Sequence, residues 1–366
     1  MKPSEKNKQT ETDGGQPSDK ELFGRVTDEN ASRSVSRIDR VRRFVDAYVL
    51  APGRVAWNDW RARIGSLIIL VFLFTGLVMV KTIDEPISNE APRYIQPFSQ
   101  FAPFEGPSLI PGLGLSAKDF YLPMGTDGFG QPIHKQLIHA TPAMIKMVFA
   151  GAIVSIAIAT IIGVAAGYKG GKVDTVLMFI TDIVLTIPGL PLIVVIAAIF
   201  PPRDPFLVGV LLAIDNWPGL ARALRSQVLT IREESYVEAS RTMGISSGTI
   251  LGKDIVPQLM PYILINSASA ARRVIFESVA LYFLGLLPFS SFNWGVVMNY
   301  AYKEGNALVN LNHFYWLFWP MLTIIILSFG LIMFAQGMDR VFNPRIRARH
   351  AKTVGGDSDA DESRID

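Results

Sequence analysis

The side chains that could do chemistry are few, and their spacing does not suit catalysis. The chain has no cysteine and only four histidines, His134, His139, His313 and His350, scattered over 366 residues. A disulfide scaffold, a thiol nucleophile, a cysteine-ligated zinc and an iron–sulfur cluster are therefore excluded, and no histidine cluster has metal-ligand spacing. Serine, histidine and acidic residues never fall into a readable nucleophilic triad. A phosphate-cradling loop is also missing from the sequence. Gly170-Gly171-Lys172 comes nearest, but Ala166 stands where the first glycine belongs and Val173 where Ser or Thr would follow the lysine. Those glycines read instead as a tight turn. What remains is a set of ionisable groups inside apolar runs: Asp182, and Arg272, Arg273 and Glu277. A central arginine costs roughly 2.5–3.5 kcal/mol on membrane-insertion scales, so it must face protein or water and find a partner. Arg273 and Glu277 are spaced to pair along one helix face. Two roles stay open for the arginines: lining a path for an acceptor-rich solute, or locking their helix to a neighbouring subunit. Asp182 likewise either accepts hydrogen bonds from an adjacent helix or touches solute. None of these is a catalytic constellation, and the chain reads as a non-enzyme.

The elements that carry these groups are membrane spans. Charged residues make up 18% of the chain, below the roughly 25% of soluble domains. A net charge of +3 is too small to argue for nucleic acid. Six apolar runs, at about 64–80, 145–166, 176–200, 206–217, 259–286 and 316–334, predict an all-α protein with six transmembrane helices. Trp57 and Trp60 stand at headgroup level before the first. Pro188 and Pro191, with Gly189 between them, predict a kink in the third. Asp215, Asn216 and Trp217 read as the boundary of the fourth. Residues 1–37 are polar and mixed in charge and read as a disordered tail. Residues 38–49 have an apolar stripe opposite Arg40, Arg42 and Arg43, which predicts an amphipathic helix on the membrane surface or against the body. Residues 81–140 and 287–315 are long connections. Basic residues crowd the segments before the first span, after the sixth, and between the fourth and fifth, where Arg222, Arg225, Arg232, Arg241 and Lys253 stand. Lys303 alone is basic within 287–315. The positive-inside rule then puts both termini and the 220–258 loop in the cytoplasm and 81–140 outside.

The 220–258 loop is the most informative stretch. Ser235-Tyr236-Val237-Glu238 has the form of a capping box, predicting a helix that starts after Ser235. It can run to Met243, with Gly244 as its left-handed terminator. Ser246 or Ser247 can cap a second helix, which passes Pro257 only with a kink. Two short helices joined at a glycine make a compact knob able to seat in a groove of a soluble partner. A capped surface helix with no partner is the plain alternative.

Glu238-Ala239-Ser240, three residues, Gly244, and Pro257 thirteen positions on resemble the EAA loop of ABC importer permeases. In order along the chain, further matches are Gly125-Thr126-Asp127-Gly128-Phe129-Gly130, Gly167-Tyr168-Lys169-Gly170-Gly171, Asp182 with Pro188, and Trp217-Pro218-Gly219. Glu277 with Phe283-Leu284-Gly285, Trp294-Gly295 and Asn343-Pro344-Arg345 complete the series. The whole resembles the C-type permease of the oligopeptide/dipeptide/nickel group over residues 57–347. Ser240, Asp254, Val256 and Asn343 depart mildly from that pattern. The resemblance implies the type I (MetI-like) permease fold, with 141–340 as its core and 341–366 as a tail. It also implies a multi-pass cell-membrane subunit, paired with a homologous second permease and two cytoplasmic ATPases. An extracytoplasmic solute-binding protein delivers the solute. The EAA loop, 235–257, couples to the ATPases through Glu238, Ala239, Ser240, Gly244, Ile255 and Pro257. ATP and magnesium sit on the ATPases, and this chain holds no cofactor or metal. Peptides are the expected cargo, with oligosaccharides or nickel chelates as alternatives. An ATP-independent secondary transporter or channel is the competing class.

Overall fold

A computed structural model describes residues 59–98, 108–110, 115–116, 122–289 and 292–342. The expected tail 1–37, the amphipathic helix over 38–49, Trp57, much of 99–121 and everything beyond 342, including Asn343-Pro344-Arg345, lie outside the described residues. Apart from a small antiparallel hairpin, β1 (Ser108–Ile110) and β2 (Leu115–Ser116), the described elements are helices. The chain is an all-α membrane protein.

Helix α1 (Trp60–Thr82) opens with the Asp59 carboxylate accepting the Arg61 N–H at 2.8 Å and passes through a π turn at Thr75–Met79. It is apolar nearly all round, as a helix bathed in lipid or other helices must be. Helix α2 (Ile133–Lys169) has 37 residues. At 1.5 Å per residue it runs to about 55 Å, far beyond a ~30 Å hydrocarbon layer. Its first turns, ahead of the apolar run at 145, therefore project past the bilayer. It ends where expected, at Gly170 and Gly171 with φ of 64° and 54°. Helices α3 (Gly171–Thr186) and α4 (Gly189–Ile199) are one apolar stretch bent by 86°. Ile187, forced extended by the proline that follows, and Pro188 make the break that the sequence predicts.

The fourth expected span is more than its apolar run. Helix α5 (Pro205–Leu212) stops after eight residues, and α6 (Pro218–Ile231) resumes after a turn. Both lie against α2 through glycines: a Cβ on Gly209 would stand 2.3 Å from the Met147 carbonyl, and one on Gly163 would stand 2.5 Å from the Ala221 carbonyl. Residues 213–217 are thus level with the middle of the 145–166 run, and they break the span rather than bound it. The sequence misplaces the boundary because α6 is amphipathic. Arg222 and Arg225 are matched by Asp182 and Asp174 on α3, and so can run along the span.

The knob helices α7 (Ser235–Thr242) and α8 (Ser247–Ile250) follow, then a π turn (Leu251–Ile255) leading into α9 (Val256–Phe283). Helix α9 is long enough to cross a bilayer but carries Arg272, Arg273 and Glu277. It ends in a Schellman motif: Leu286 N–H donates to the Leu281 carbonyl at 2.9 Å, Gly285 N–H to the Tyr282 carbonyl at 3.0 Å, and Gly285 takes φ 74°. Helix α10 (Trp294–Lys303) packs on α9 where a Cβ on Gly295 would meet the Val279 carbonyl at 2.8 Å. Helix α11 (Phe314–Phe342) closes the bundle against α1, with Gly65, Gly330 and Gly337 at the contact. Small residues at such crossings let helices approach where lipid removes the hydrophobic drive.

At the end of the bundle opposite the knob, the projecting turns of α2 are capped by 84–98 and 122–132. Asp127 holds that cap. One carboxylate oxygen accepts the Phe129 and Gln131 N–H groups, each at 2.8 Å, and the other accepts Gln136 Nε2 at 2.7 Å. Tyr315 OH donates to the Thr126 carbonyl at 2.7 Å, and Trp294 Nε1 to the Leu137 carbonyl at 3.2 Å. Trp294 and Trp316 are fully buried, so both are core residues.

Candidate functional site

The knob begins where α6 runs out. Arg232 donates to the Gly167 carbonyl at 2.9 Å, tying that turn to the end of α2. Glu234 then takes the extended N-cap conformation, and its carbonyl accepts the Val237 and Glu238 N–H groups at 3.0 and 3.2 Å. Ser235 is already helical, and no side chain caps the start. The expected capping box is therefore not formed. The turn through Glu233 and Glu234 sets the extended residue one position earlier, so the Ser235 hydroxyl no longer stands at the cap.

The other end matches expectation. Ile245 N–H donates to the Ser240 carbonyl at 3.1 Å and Gly244 N–H to the Arg241 carbonyl at 3.0 Å, with Gly244 at φ 74°. This is again a Schellman turn, and a side chain at Gly244 would be strained there. Ser246 occupies the next N-cap position, its hydroxyl paired with Thr249 Oγ1 at 2.9 Å.

Two sets of contacts make the knob rigid. Val237, Ile250 and Ile255 are fully buried, packed with Leu224 and Val228 of α6 and Val164 of α2. A polar strap crosses the surface: Ser240 Oγ donates to Asp254 Oδ2 at 3.2 Å, while Gln258 Nε2 donates to the Asp254 carbonyl at 2.8 Å and the Tyr236 hydroxyl at 2.6 Å. Ser240 and Asp254, two departures from the family pattern, are thus partners. Arg241 lies 5.6 Å from the Tyr168 ring centre. Pro257, second in α9, has no N–H for the Lys253 carbonyl, and the π turn before it absorbs the mismatch. Of the expected coupling residues, Glu238, Ala239 and Gly244 are exposed, Ser240 and Pro257 are half-buried, and Ile255 lies beneath the knob. Beside the exposed ones stand Tyr236, Ile245 and Met243, the last 71% exposed.

The ionisable groups within the bundle separate into two kinds. Asp182 pairs with Arg222, and Asp174 holds Arg225 at two points. These are helix-to-helix ion pairs joining α3 to α6, the interhelix role anticipated for Asp182. Arg273 and Glu277, by contrast, form no ion pair, although their spacing allows one. Glu277 Oε2 is buried with no hydrogen-bond partner, as is Asp215 Oδ1. Arg273 lines one cavity with Asp215 and Asn216 and a second with Arg272 and Glu277. From the sequence Asp215 reads only as a span boundary, and Tyr236, Asp254 and Gln258 do not read as a strap, because each gains its role from residues remote in sequence.

Comparison with known proteins bears on what such a bundle does. Residues 159–348, just over half of the chain, match the family described as binding-protein-dependent transport system inner membrane component. The chain belongs to this family. It is therefore a non-catalytic permease subunit of an ATP-binding-cassette importer, and it works as part of a larger transporter. The matched segment of the permease runs from the second half of α2 through the knob, α9 and α11 and ends beyond the described residues. The chain is similar to the dipeptide transport system permease protein DppC of Bacillus subtilis, 29% identical over 61% of this chain and 68% of that one. It is also similar to the oligopeptide transport system permease protein OppC of the same organism, 31% identical over 61% of this chain and 72% of that one. The OppC of Haemophilus influenzae is 26% identical over 81% of this chain and 90% of that protein.

Proposed function

We propose that this permease pairs with a second, homologous permease and two cytoplasmic ATPase subunits to import di- or oligopeptides handed over by an extracytoplasmic binding protein. Both termini and the knob face the cytoplasm, and the α2 cap faces outward. ATP and magnesium are held by the ATPases. The knob is the coupling element. Glu238, Ala239 and Gly244 meet the ATPase together with Tyr236, Met243 and Ile245. Ser240, Ile255 and Pro257 hold that face in position. Arg272, Arg273 and Glu277 belong to the translocation path, and Asp182 keeps α3 and α6 together beside it. The observation that carries the reading is a rigid, strapped helical knob with an exposed apolar face, on a chain that has no nucleotide-binding loop of its own. Peptide as cargo is supported by the names of the similar permeases, and the orientation by the basic residues around the knob.

Gly244→Leu tests the coupling. A left-handed non-glycine residue costs roughly 1–2 kcal/mol, which re-aims α7 relative to α8. The expected outcome is a permease that still reaches the membrane but loses peptide uptake by tenfold or more and releases its ATPase on purification. Normal uptake with normal ATPase co-purification would exclude the knob as the coupling element. Uptake without any ATPase would instead place the chain among ATP-independent transporters.

A further inference from the structure

The two broken spans meet at one place. The Ile187-Pro188 break of α3–α4 brings Gly189 against the turn between α5 and α6, so tightly that a Cβ there would stand 1.7 Å from Asp215 Oδ2. Its depth follows from the packing of the same span on α2. Gly209 lies at Met147 and Ala150, and Ala221 lies at Gly163, so Asp215 falls level with Ser155. Ser155 lines the same cavity, of about 280 Å³, as Asp215, Asn216, Asn266 and Arg273. That is the middle of the apolar run. Arg273 and Ser269 line both this cavity and a second, of about 400 Å³, which Glu277 also lines. Asp215 and Glu277 both feel the Arg273 charge, and Glu277 also feels Asp215. Ionisable groups at this depth do not face lipid, and unwound backbone at this depth lines a cavity or is covered by protein.

Resting on the peptide-import reading above, we propose that Asp215, Glu277 and Arg273 form a way-station at mid-depth in the path, which takes the free amino group of the passing peptide. Each carboxylate has one buried oxygen without a donor. A carboxylate accepts only, and an ammonium group brings three donors and no acceptor. Arg273 offsets one of the two negative charges while the station is empty and faces the peptide's carbonyl or carboxylate oxygens when it is filled. Asn216 and Asn266 supply amides on the same wall, although Asn216 Nδ2 already donates to the Ala270 carbonyl at 3.3 Å and Asn266 Nδ2 to the Tyr262 carbonyl at 2.8 Å. Mixed polarity of this kind suits a zwitterion and gives little to an uncharged sugar.

The test uses the complete transporter reconstituted in liposomes with its binding protein. Trialanine and N-acetyl-trialanine serve as probes, in the parent and in the Asp215→Asn/Glu277→Gln double variant. Two ratios are read: trialanine uptake over acetylated-peptide uptake, and trialanine molecules moved per ATP hydrolysed. Both are expected to fall tenfold or more in the double variant, with Glu277→Asp alone recovering at least half of the parent's values. Unchanged ratios in a double variant that still moves trialanine would overturn the proposal, whereas loss of assembly or folding abolishes uptake of both peptides, and the Glu277→Gln single variant then decides by the same two ratios. Should the parent complex move neither peptide, the peptide-import reading itself falls, which is a different result. If the acetylated peptide never reaches the permease, the ratio per ATP decides alone.

Discussion

At the residue scale, Asp127 shows how one polar side chain can hold a segment between membrane helices. Its carboxylate ties the 122–132 turn to itself and to α2 through three hydrogen bonds. Hydrogen bonds to a charged group contribute about 1.5–3 kcal/mol each, so Asp127→Ala is expected to lower the melting temperature of the purified protein clearly. Asp127→Asn keeps an acceptor for both backbone N–H groups and should cost far less. The pH dependence of that pair has a definite sign. Burial raises the Asp127 pKa, and the Phe129, Gln131 and Gln136 hydrogen bonds and Arg93 only partly oppose it. The fold therefore favours the protonated form more than the unfolded chain does. Its titration stabilises the fold fully below the ordinary carboxylate pKa, and this contribution declines as pH rises through the raised value. Melting curves from acid to neutral pH should show Asp127→Asn gaining on the parent as pH rises. An Asp127→Asn variant that instead loses ground to the parent as pH rises would contradict the assigned direction.

At the element scale, packing of α2 on α6 depends on two glycines one helical turn apart. A Cβ on Gly163 would press the Ala221 carbonyl at 2.5 Å, and one on Gly167 the Val228 Cβ at 2.7 Å. Overpacking of this kind costs typically about 1–3 kcal/mol. Gly163→Leu and Gly167→Leu should each reduce the folded yield in detergent, whereas Gly252→Ala, which meets nothing within 4 Å, should be tolerated. Equal yields for all three would mean that α2 and α6 do not approach so closely. What the sequence made legible here were features governed by neighbours in the chain. The Gly170-Gly171 turn, the break at Pro188 and the Gly244 terminator all follow from local backbone chemistry. The depth of Asp215 did not, because its neighbours on α2, α4 and α9 are far away in sequence. The arginines of α6 misled for the same reason. Their charge reads as a cytoplasmic loop until Asp174 and Asp182 are seen opposite them. The capping box failed by a single position, a shift set by the turn that delivers the chain to α7.

At the scale of the whole molecule, a bundle with its knob at one end and its cap at the other must be oriented. The chain contains no cysteine, so each introduced thiol reports alone. Lys303→Cys, beside the cap, is expected to react with an impermeant maleimide in intact cells. Gly248→Cys, on the knob, should react only once the membrane is opened. The reverse pattern would invert the orientation. Coupling through the knob is measured most directly with the same chemistry at the knob's outer face. Met243→Cys, with a cysteine-specific bifunctional cross-linker and the co-expressed ATPase, should give a product at the combined mass of permease and ATPase, with peptide uptake lost once the link is made. A transporter that consumes ATP and imports peptide while Met243→Cys never links to any ATPase would contradict it.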